Sequence, residues 1–240
     1  MSGSSRDDSE EVYQNCQRVM ERIRAAAARS GREPGEIKLL AACKSQPPAA
    51  IRAALRAGVR LLGENYVQEA RPKVAAITEA VEWHMIGHLQ RNKAREALEL
   101  FSLIESLDGV ALARALDREA RKKGVICHAF IEVNLAGEET KSGADKESIP
   151  GLLDEVSRLA NLRVEGLMAL PPLREDAEAV RPFFRELKRL QVKLAGMNAA
   201  NVDLRELSMG MTRDYEVAIE EGATIVRIGT GIFGARRSEG

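Results

Sequence analysis

Short apolar runs alternate with amphipathic stretches along nearly the whole chain. The runs fall at residues 39–43, 60–63, 82–86, 101–106, 126–134, 163–170, 204–208 and 223–228. Each is short enough for a strand. The residues between them recur at helical spacing, most plainly at 49–57, 110–123 and 176–194. Seven helical patterns lie between eight strands. An eighth precedes them over residues 9–29, with acids early and arginines late, an arrangement that suits the helix macrodipole. Three junctions, Ala57-Gly58-Val59, Lys123-Gly124-Val125 and Glu221-Gly222-Ala223, put glycine where a helix stops and a strand begins, so a left-handed cap is expected at each.

Strands strictly alternating with helices imply parallel pairing. Eight units in about 190 residues predict an α/β fold, a single (β/α)8 TIM barrel on the short side of its usual size. An open doubly wound sheet is the alternative. No linker interrupts the alternation, so one domain is expected over residues 9–236, after a flexible Ser-rich and acidic N-terminus at residues 1–8. Residues 137–143 and Pro171-Pro172 read as longer loops within it.

Composition narrows the function. The chain has 240 residues, 45% of them hydrophobic, which is enough for a sizeable core. Thirty-six basic residues balance thirty-six acidic ones, so no overall charge recruits nucleic acid or an anionic membrane. The few aromatic residues are scattered and form no stacking platform. Cys16, Cys43 and Cys127 are odd in number and far apart, which argues against disulfides and structural zinc. With no apolar leader and no run near the ~18 residues of a membrane span, a cytoplasmic protein is expected. No long apolar seam stands out, and monomer is the default.

In such a barrel, function gathers at the carboxyl ends of the strands. Those ends carry Lys44, Glu64-Asn65, Gly87-His88, Asn134, Pro171-Pro172, Ser208-Met209-Gly210 and Gly229-Thr230. Lys44 is the most informative of these. A register that points it inward also points Leu40 and Ala42 inward, and small neighbours leave room for a ligand. Desolvation lowers a lysine's pKa, and a neutral amine can attack a carbonyl to form a Schiff base. Taken alone, Lys44 reads first as a snorkelling surface lysine, and the rest of the chain must supply the reason for more.

The last two loops add an anion cradle. Gly229-Thr230-Gly231 follows the final strand and Ser208-Met209-Gly210-Met211-Thr212 the one before it, at the two positions where this fold often holds phosphate. Either loop alone could be an ordinary turn. Arg227, within the last strand, would sit below that cradle if it points inward, and is otherwise an ion-paired strand residue. His84 and His88 have i, i+4 spacing but straddle Gly87 and lack a further ligand, so no metal site is expected. His128, Cys127 and Trp83 read as core or wall. Glu138-Glu139, Glu220-Glu221, Arg91-Asn92-Lys93 and Arg236-Arg237 read as solvated.

Together these residues carry a family resemblance. Lys44 after its strand, the segment from Gly63 to Glu69, the segment from Trp83 to Lys93, Glu132-Val133-Asn134, Lys141-Ser142-Gly143, Gly166-Leu167-Met168, Leu207-Ser208-Met209-Gly210-Met211 and Val226-Arg227-Ile228-Gly229-Thr230 resemble the pyridoxal phosphate homeostasis proteins. The likeness runs from about Ile37 to Arg236. It implies pyridoxal 5'-phosphate (PLP) as cofactor, held as a Schiff base on Lys44. It also implies phosphate contacts from Ser208, Gly229 and Thr230, Arg227 facing the pyridine nitrogen, and Asn65 and Met209 as close neighbours. Ala42-Cys43, Ser45-Gln46 and Thr212 depart from the family's commoner residues, which bears on the lysine's immediate surroundings and leaves the lysine in place.

The same barrel, lysine and arginine resemble the N-terminal half of alanine racemase, a fold-type III PLP enzyme. PLP enzymes that use the ring as a full electron sink place a carboxylate at the pyridine nitrogen, and an arginine there weakens the sink. A racemase of that family also draws on a further β domain and a second acid/base opposite the lysine, neither of which this sequence offers. The leading expectation is a PLP-binding homeostasis protein that buffers or delivers the cofactor, to apo PLP-dependent enzymes among others, without robust turnover. The alternatives are a small fold-type III enzyme with weak racemase activity and a regulatory module whose PLP state a partner reads.

Overall fold

Backbone geometry explains where each predicted run stops. In the computed structural model, which describes residues 4–137, 142–172, 174–197 and 199–235, the β-branched and leucine-rich runs form strands β1 (Lys38–Ala42), β2 (Leu61–Glu64), β3 (Glu82–Met85), β4 (Leu103–Leu107), β5 (Cys127–Asn134), β7 (Leu162–Met168), β8 (Val202–Ser208) and β9 (Ile225–Ile228). A two-residue strand, β6 (Ala144–Asp145), adds only to the end of β5. The expected pairs Glu138-Glu139 and Arg236-Arg237, and Lys141 of the quoted motif, lie outside the described residues.

The eight long strands pair in the order β4-β3-β2-β1-β9-β8-β7-β5, every pair is parallel, and β4 pairs with β5 to close the ring. Closure excludes the open sheet. The seven intervening helices are α2 (Pro48–Arg56), α3 (Val67–Ala76), α4 (Ala94–Leu100), α5 (Val110–Lys123), α6 (Ile149–Val156), α7 (Arg181–Ala195) and α8 (Tyr215–Glu220). Among the described residues after β9 there is a single turn, α9 (Thr230–Phe233), which the periodicity did not mark. The N-terminal helix α1 (Ser4–Arg29) packs against α2, α8 and α9, filling the place a full eighth helix would take. It starts five residues before the amphipathic pattern at Ser9.

All three junction glycines have the expected positive φ, at 106° for Gly58, 67° for Gly124 and 102° for Gly222. At Gly124 the left-handed cap lets its amide bond back to the end of α5, so three basic residues in the last turn meet the helix's negative end.

Side chains alternate across the barrel wall. Outward, Leu62, Ile131, Leu167, Leu207 and Val226 meet Ile51, Leu116, Ile149 and Phe184 of the helices, all fully buried. Truncating one of the large ones, such as Phe184, would cost about 3–5 kcal/mol. Inward, Leu40, Leu61, Ile86, Phe130, Met168 and Ile225 form a separate apolar plug, with Ala42 and Leu103 against it. The plug divides the lumen into two mouths. Trp83 packs in the outer layer as expected, whereas His128 is not core. It sits part-exposed at the amino-end rim with Nδ1 2.8 Å from Glu165 Oε1, because one further step along the strand takes it past the plug.

Candidate binding pocket at the carboxyl end of the barrel

Strand alternation delivers Lys44 to the upper mouth. Leu40 and Ala42 point into the lumen while Ala41 and Cys43 point out, so the next inward position is Lys44. The turn that presents it is unusual for a non-glycine residue, with Ser45 at φ 60°. It is held from outside the wall. Lys73 on α3 donates to Cys43 O at 2.7 Å and to Glu64 Oε1 at 2.6 Å, a buried ion pair that pins the backbone just before the lysine. The ammonium of Lys44 lies 5.0 Å from the centre of the Tyr66 ring, a cation–π contact.

Lys44 opens on a cavity of about 350 Å³ whose walls include Asn65, Thr212, Asp214, Arg227, Gly229 and Thr230. Five of the residues expected at the site therefore come together: Lys44, Asn65, Arg227, Gly229 and Thr230. The two loops expected to cradle an anion also meet, since Thr230 Oγ1 donates to Thr212 Oγ1 at 3.2 Å and Gly231 N donates to the same oxygen at 3.1 Å. Gly210, at φ 91°, lets the first of these loops pack closely on α8, because an added Cβ would stand 2.6 Å from Ala218 Cβ and 2.9 Å from Tyr215 Cα.

Ser208 and Met209 are placed differently. The wall alternation that points Arg227 inward also points Ser208 inward, but one layer below the cavity. There its hydroxyl donates to Glu105 Oε2 at 2.5 Å and accepts from Arg227 Nη1 at 2.6 Å. Met209 points outward into the helix-facing core, fully buried. The pocket instead gains Thr212 and Asp214. Asp214 accepts from Met211 N at 2.7 Å, and burial raises its carboxyl above the ordinary range although that amide and Arg227 pull it down.

Arg227 forms the floor. It is 3% exposed, donates through Nη2 to Ala169 O at 2.8 Å, and lies 3.9 Å from the nearest Glu105 oxygen. Below it is a titratable cluster the sequence reading did not single out. Glu105 Oε1 lies 2.7 Å from His84 Nδ1. Burial is the largest influence on His84 and opposes its charge, yet the hydrogen bond to Glu105 and the nearby Glu82 carboxylate together outweigh it, and its pKa rises to about 9. Burial would raise Glu105, but His84, Arg227 and Ser208 hold it below its ordinary value. Glu132, also inward, is pushed up to about 7 by burial and by Asp108, against Arg227. Parity could have exposed Glu105, since in Leu103-Ile104-Glu105 it shares the inward face of Leu103. His88, spaced to pair with His84 on a helix, instead meets Asp108 at 3.1 Å.

A closed parallel barrel with an inward lysine at the first strand's end and a buried arginine beneath a two-loop cradle defines a class of small-molecule binding barrel. Residues 10–237 match the family model of the alanine racemase N-terminal domain. Within that class the chain belongs to the family of pyridoxal phosphate homeostasis proteins. It is 46% identical to the protein of that name from Aquifex aeolicus over 92% of this chain and 96% of the relative. PipY of Synechococcus elongatus, solved with PLP bound, superposes with a TM-score of 0.78 at 38% identity, covering 90% of this chain and all of that one. An alanine racemase from Clostridium difficile shares the fold alone, with a TM-score of 0.73 at 13% identity over 94% of this chain and 58% of that chain.

Proposed function

We propose that this protein binds PLP in the upper pocket, covalently through the Lys44 amine, and buffers or delivers it without turning over an amino acid. The observation that carries this reading is the convergence of Lys44, Arg227 and the Thr212–Thr230 cradle on one cavity of about 350 Å³. The donor set fits the cofactor at each of its three polar points. An amine stands ready for the aldehyde, hydroxyls and glycine-rich backbone for the phosphate, and a guanidinium for the ring nitrogen. Asp214 stands near the cradle, but its oxygen already accepts a backbone N–H, which lessens its repulsion of an anion.

PLP, when bound, supplies an electrophilic aldehyde and an electron-accepting ring. Arg227 is a cation that only donates hydrogen bonds, so it pairs with the lone pair of an unprotonated ring nitrogen, disfavours the pyridinium and weakens the electron sink. Beside Lys44 the acid/base groups among the described residues are few: Asp214 in the cavity wall, whose oxygen already accepts Met211 N, and Tyr66, which offers its ring to the ammonium. The name of the Aquifex aeolicus relative and the bound PLP of PipY support the same reading. On it, residues 9–236 are one PLP-binding domain, the protein works as a monomer in the cytoplasm, and apo PLP-dependent enzymes receive the cofactor.

Loaded protein, freed of unbound PLP, should restore activity to an apo PLP enzyme, and should racemise L- or D-alanine no faster than free PLP does. Robust racemisation would replace the carrier reading with that of a small fold-type III enzyme. Failure to take up PLP at all would overturn both.

A further inference from the structure

A continuous line of hydrogen bonds crosses the lumen beneath the pocket. It starts at His84 on β3, passes through both oxygens of Glu105 on β4 to the hydroxyl of Ser208 on β8, and ends at Arg227 on β9. The four side chains are at most 3% exposed. We infer that Glu105 is a positioning residue of the pocket, fixing through Ser208 the direction in which Arg227 presents its free N–H groups to the ligand. The inference rests on the reading that places PLP above Arg227.

The geometry of the guanidinium makes the case. Its only direct protein acceptors among the described residues are the Ser208 hydroxyl and the Ala169 carbonyl. At 3.9 Å, Glu105 is too far for a hydrogen bond to Arg227. A hydroxyl can both donate and accept, so Ser208 turns toward Arg227 the lone pair that remains once its proton is committed to Glu105. If Glu105 no longer demanded that proton, the hydroxyl could rotate, and the guanidinium would lose the acceptor that aims it. His84 occupies the other carboxylate oxygen and keeps Glu105 from swinging up to pair with Arg227 directly. A carboxylate one bond nearer would draw the guanidinium down and away from the pocket.

The line reaches beyond the pocket. His84 Nε2 is buried without a hydrogen-bond partner among the described residues and stands at the wall of the lower cavity. Glu82, at 3.8 Å, is beyond hydrogen-bond distance. The anchor of Arg227 therefore hangs on a residue facing the opposite mouth.

The test uses full-length Glu105→Gln, Ser208→Ala and their double variant, with His84→Asn as the conservative change that keeps an N–H donor near the Nδ1 position. Each is loaded with PLP for a visible spectrum and for release to a PLP scavenger. In the PLP-free state, modification of Arg227 by phenylglyoxal is followed by peptide mass. Glu105→Gln should displace the absorption maximum, speed release about tenfold or more and expose Arg227 to the reagent. Ser208→Ala should do the same, the double variant should add nothing further, and His84→Asn, which keeps a donor to Glu105 but not the imidazole's charge, should fall between the parent and Glu105→Gln. Additive single effects, or a parent-like spectrum and labelling in Glu105→Gln with only a lower melting temperature, would overturn the inference. If Glu105→Gln fails to fold, Ser208→Ala decides by the same readouts. A parent that takes up no PLP would count against the functional reading, while the labelling result would still judge the positioning role.

Discussion

The two mouths of this barrel are both cavities lined with charge, and the larger is not the one that looks built for a ligand. The lower mouth encloses about 630 Å³ between α1 and the amino ends of the strands, the upper about 350 Å³. In the lower mouth the charges answer one another. Lys38 meets Glu206 at 2.6 Å, and His128 meets Glu165 at 2.8 Å. In the upper mouth, among the described residues, Lys44 has an aromatic ring for company and Arg227 has neutral oxygens. Cations that hydrogen-bond to no carboxylate, the nearest to Arg227 being Glu105 at 3.9 Å, mark a place where an anionic, electrophilic ligand gains more than water does. Volume alone would have chosen the lower mouth.

The sharpest way to break that comparison is to remove one lysine from each mouth. Lys44→Ala should abolish covalent PLP retention, whereas Lys38→Ala, removing a half-exposed ion pair, should leave PLP binding intact and cost less than about 1 kcal/mol of stability in urea unfolding. A second contrast lies in how the two lysines are supported. Lys73 and Glu64 are buried behind the Lys44 turn, so Lys73→Met should strand a carboxylate in the wall and cost about 3–5 kcal/mol. Chemical denaturation of that variant, with PLP uptake of the folded fraction, would separate lost stability from a misplaced Lys44.

A smaller effect is expected at the cradle. Gly210→Ala forces a Cβ against Tyr215 and Ala218 at φ 91°, so it should destabilise by about 1–3 kcal/mol and loosen phosphate retention more than it affects the lysine linkage. Comparing binding of PLP with that of pyridoxal would read the difference.

The smallest effect is on pH dependence, and it comes from the lumen. His84 has a folded pKa of about 9 against 6.5, so its contribution is complete below 6.5 and is lost as pH rises toward 9. Glu132, raised to about 7 from 4.5, is held protonated in the fold and also costs stability as pH climbs between those values. The melting temperature should therefore fall by a few degrees from pH 5 to pH 9, with His84→Gln flattening the upper part of the decline and Glu132→Gln the lower. A profile that rises across this range would contradict both assignments.

How much of this was legible beforehand differs between wall and lumen. The alternation of apolar runs with helical patterns announced eight parallel strands, and the inward parity of Leu40, Ala42 and Lys44 followed from a period of two. The single turn of α9 was invisible because four residues carry no periodicity, and α1 covering its place is a tertiary fact. Ser208 was read as a loop residue at the cradle. The register instead sets it one layer lower, since which layer a strand-end residue occupies depends on the shear of a closed barrel and not on local sequence. Glu105 escaped notice for a related reason, and His84 was weighed only with His88 as half of a metal site. Glu105 matters because it meets His84 on the neighbouring strand and Ser208 across the lumen, and 21 and 103 positions of sequence separate those pairs.

The central claim is that Lys44 is the amine that holds the cofactor. It is tested most directly by loading the protein with PLP, reducing with borohydride and mapping the modified peptide by mass spectrometry beside the Lys44→Ala variant. The account predicts a yellow protein with one reduced pyridoxyl phosphate adduct, on Lys44, and none in the variant. An adduct on another lysine, or a parent that stays colourless and unmodified with PLP in excess, would contradict it.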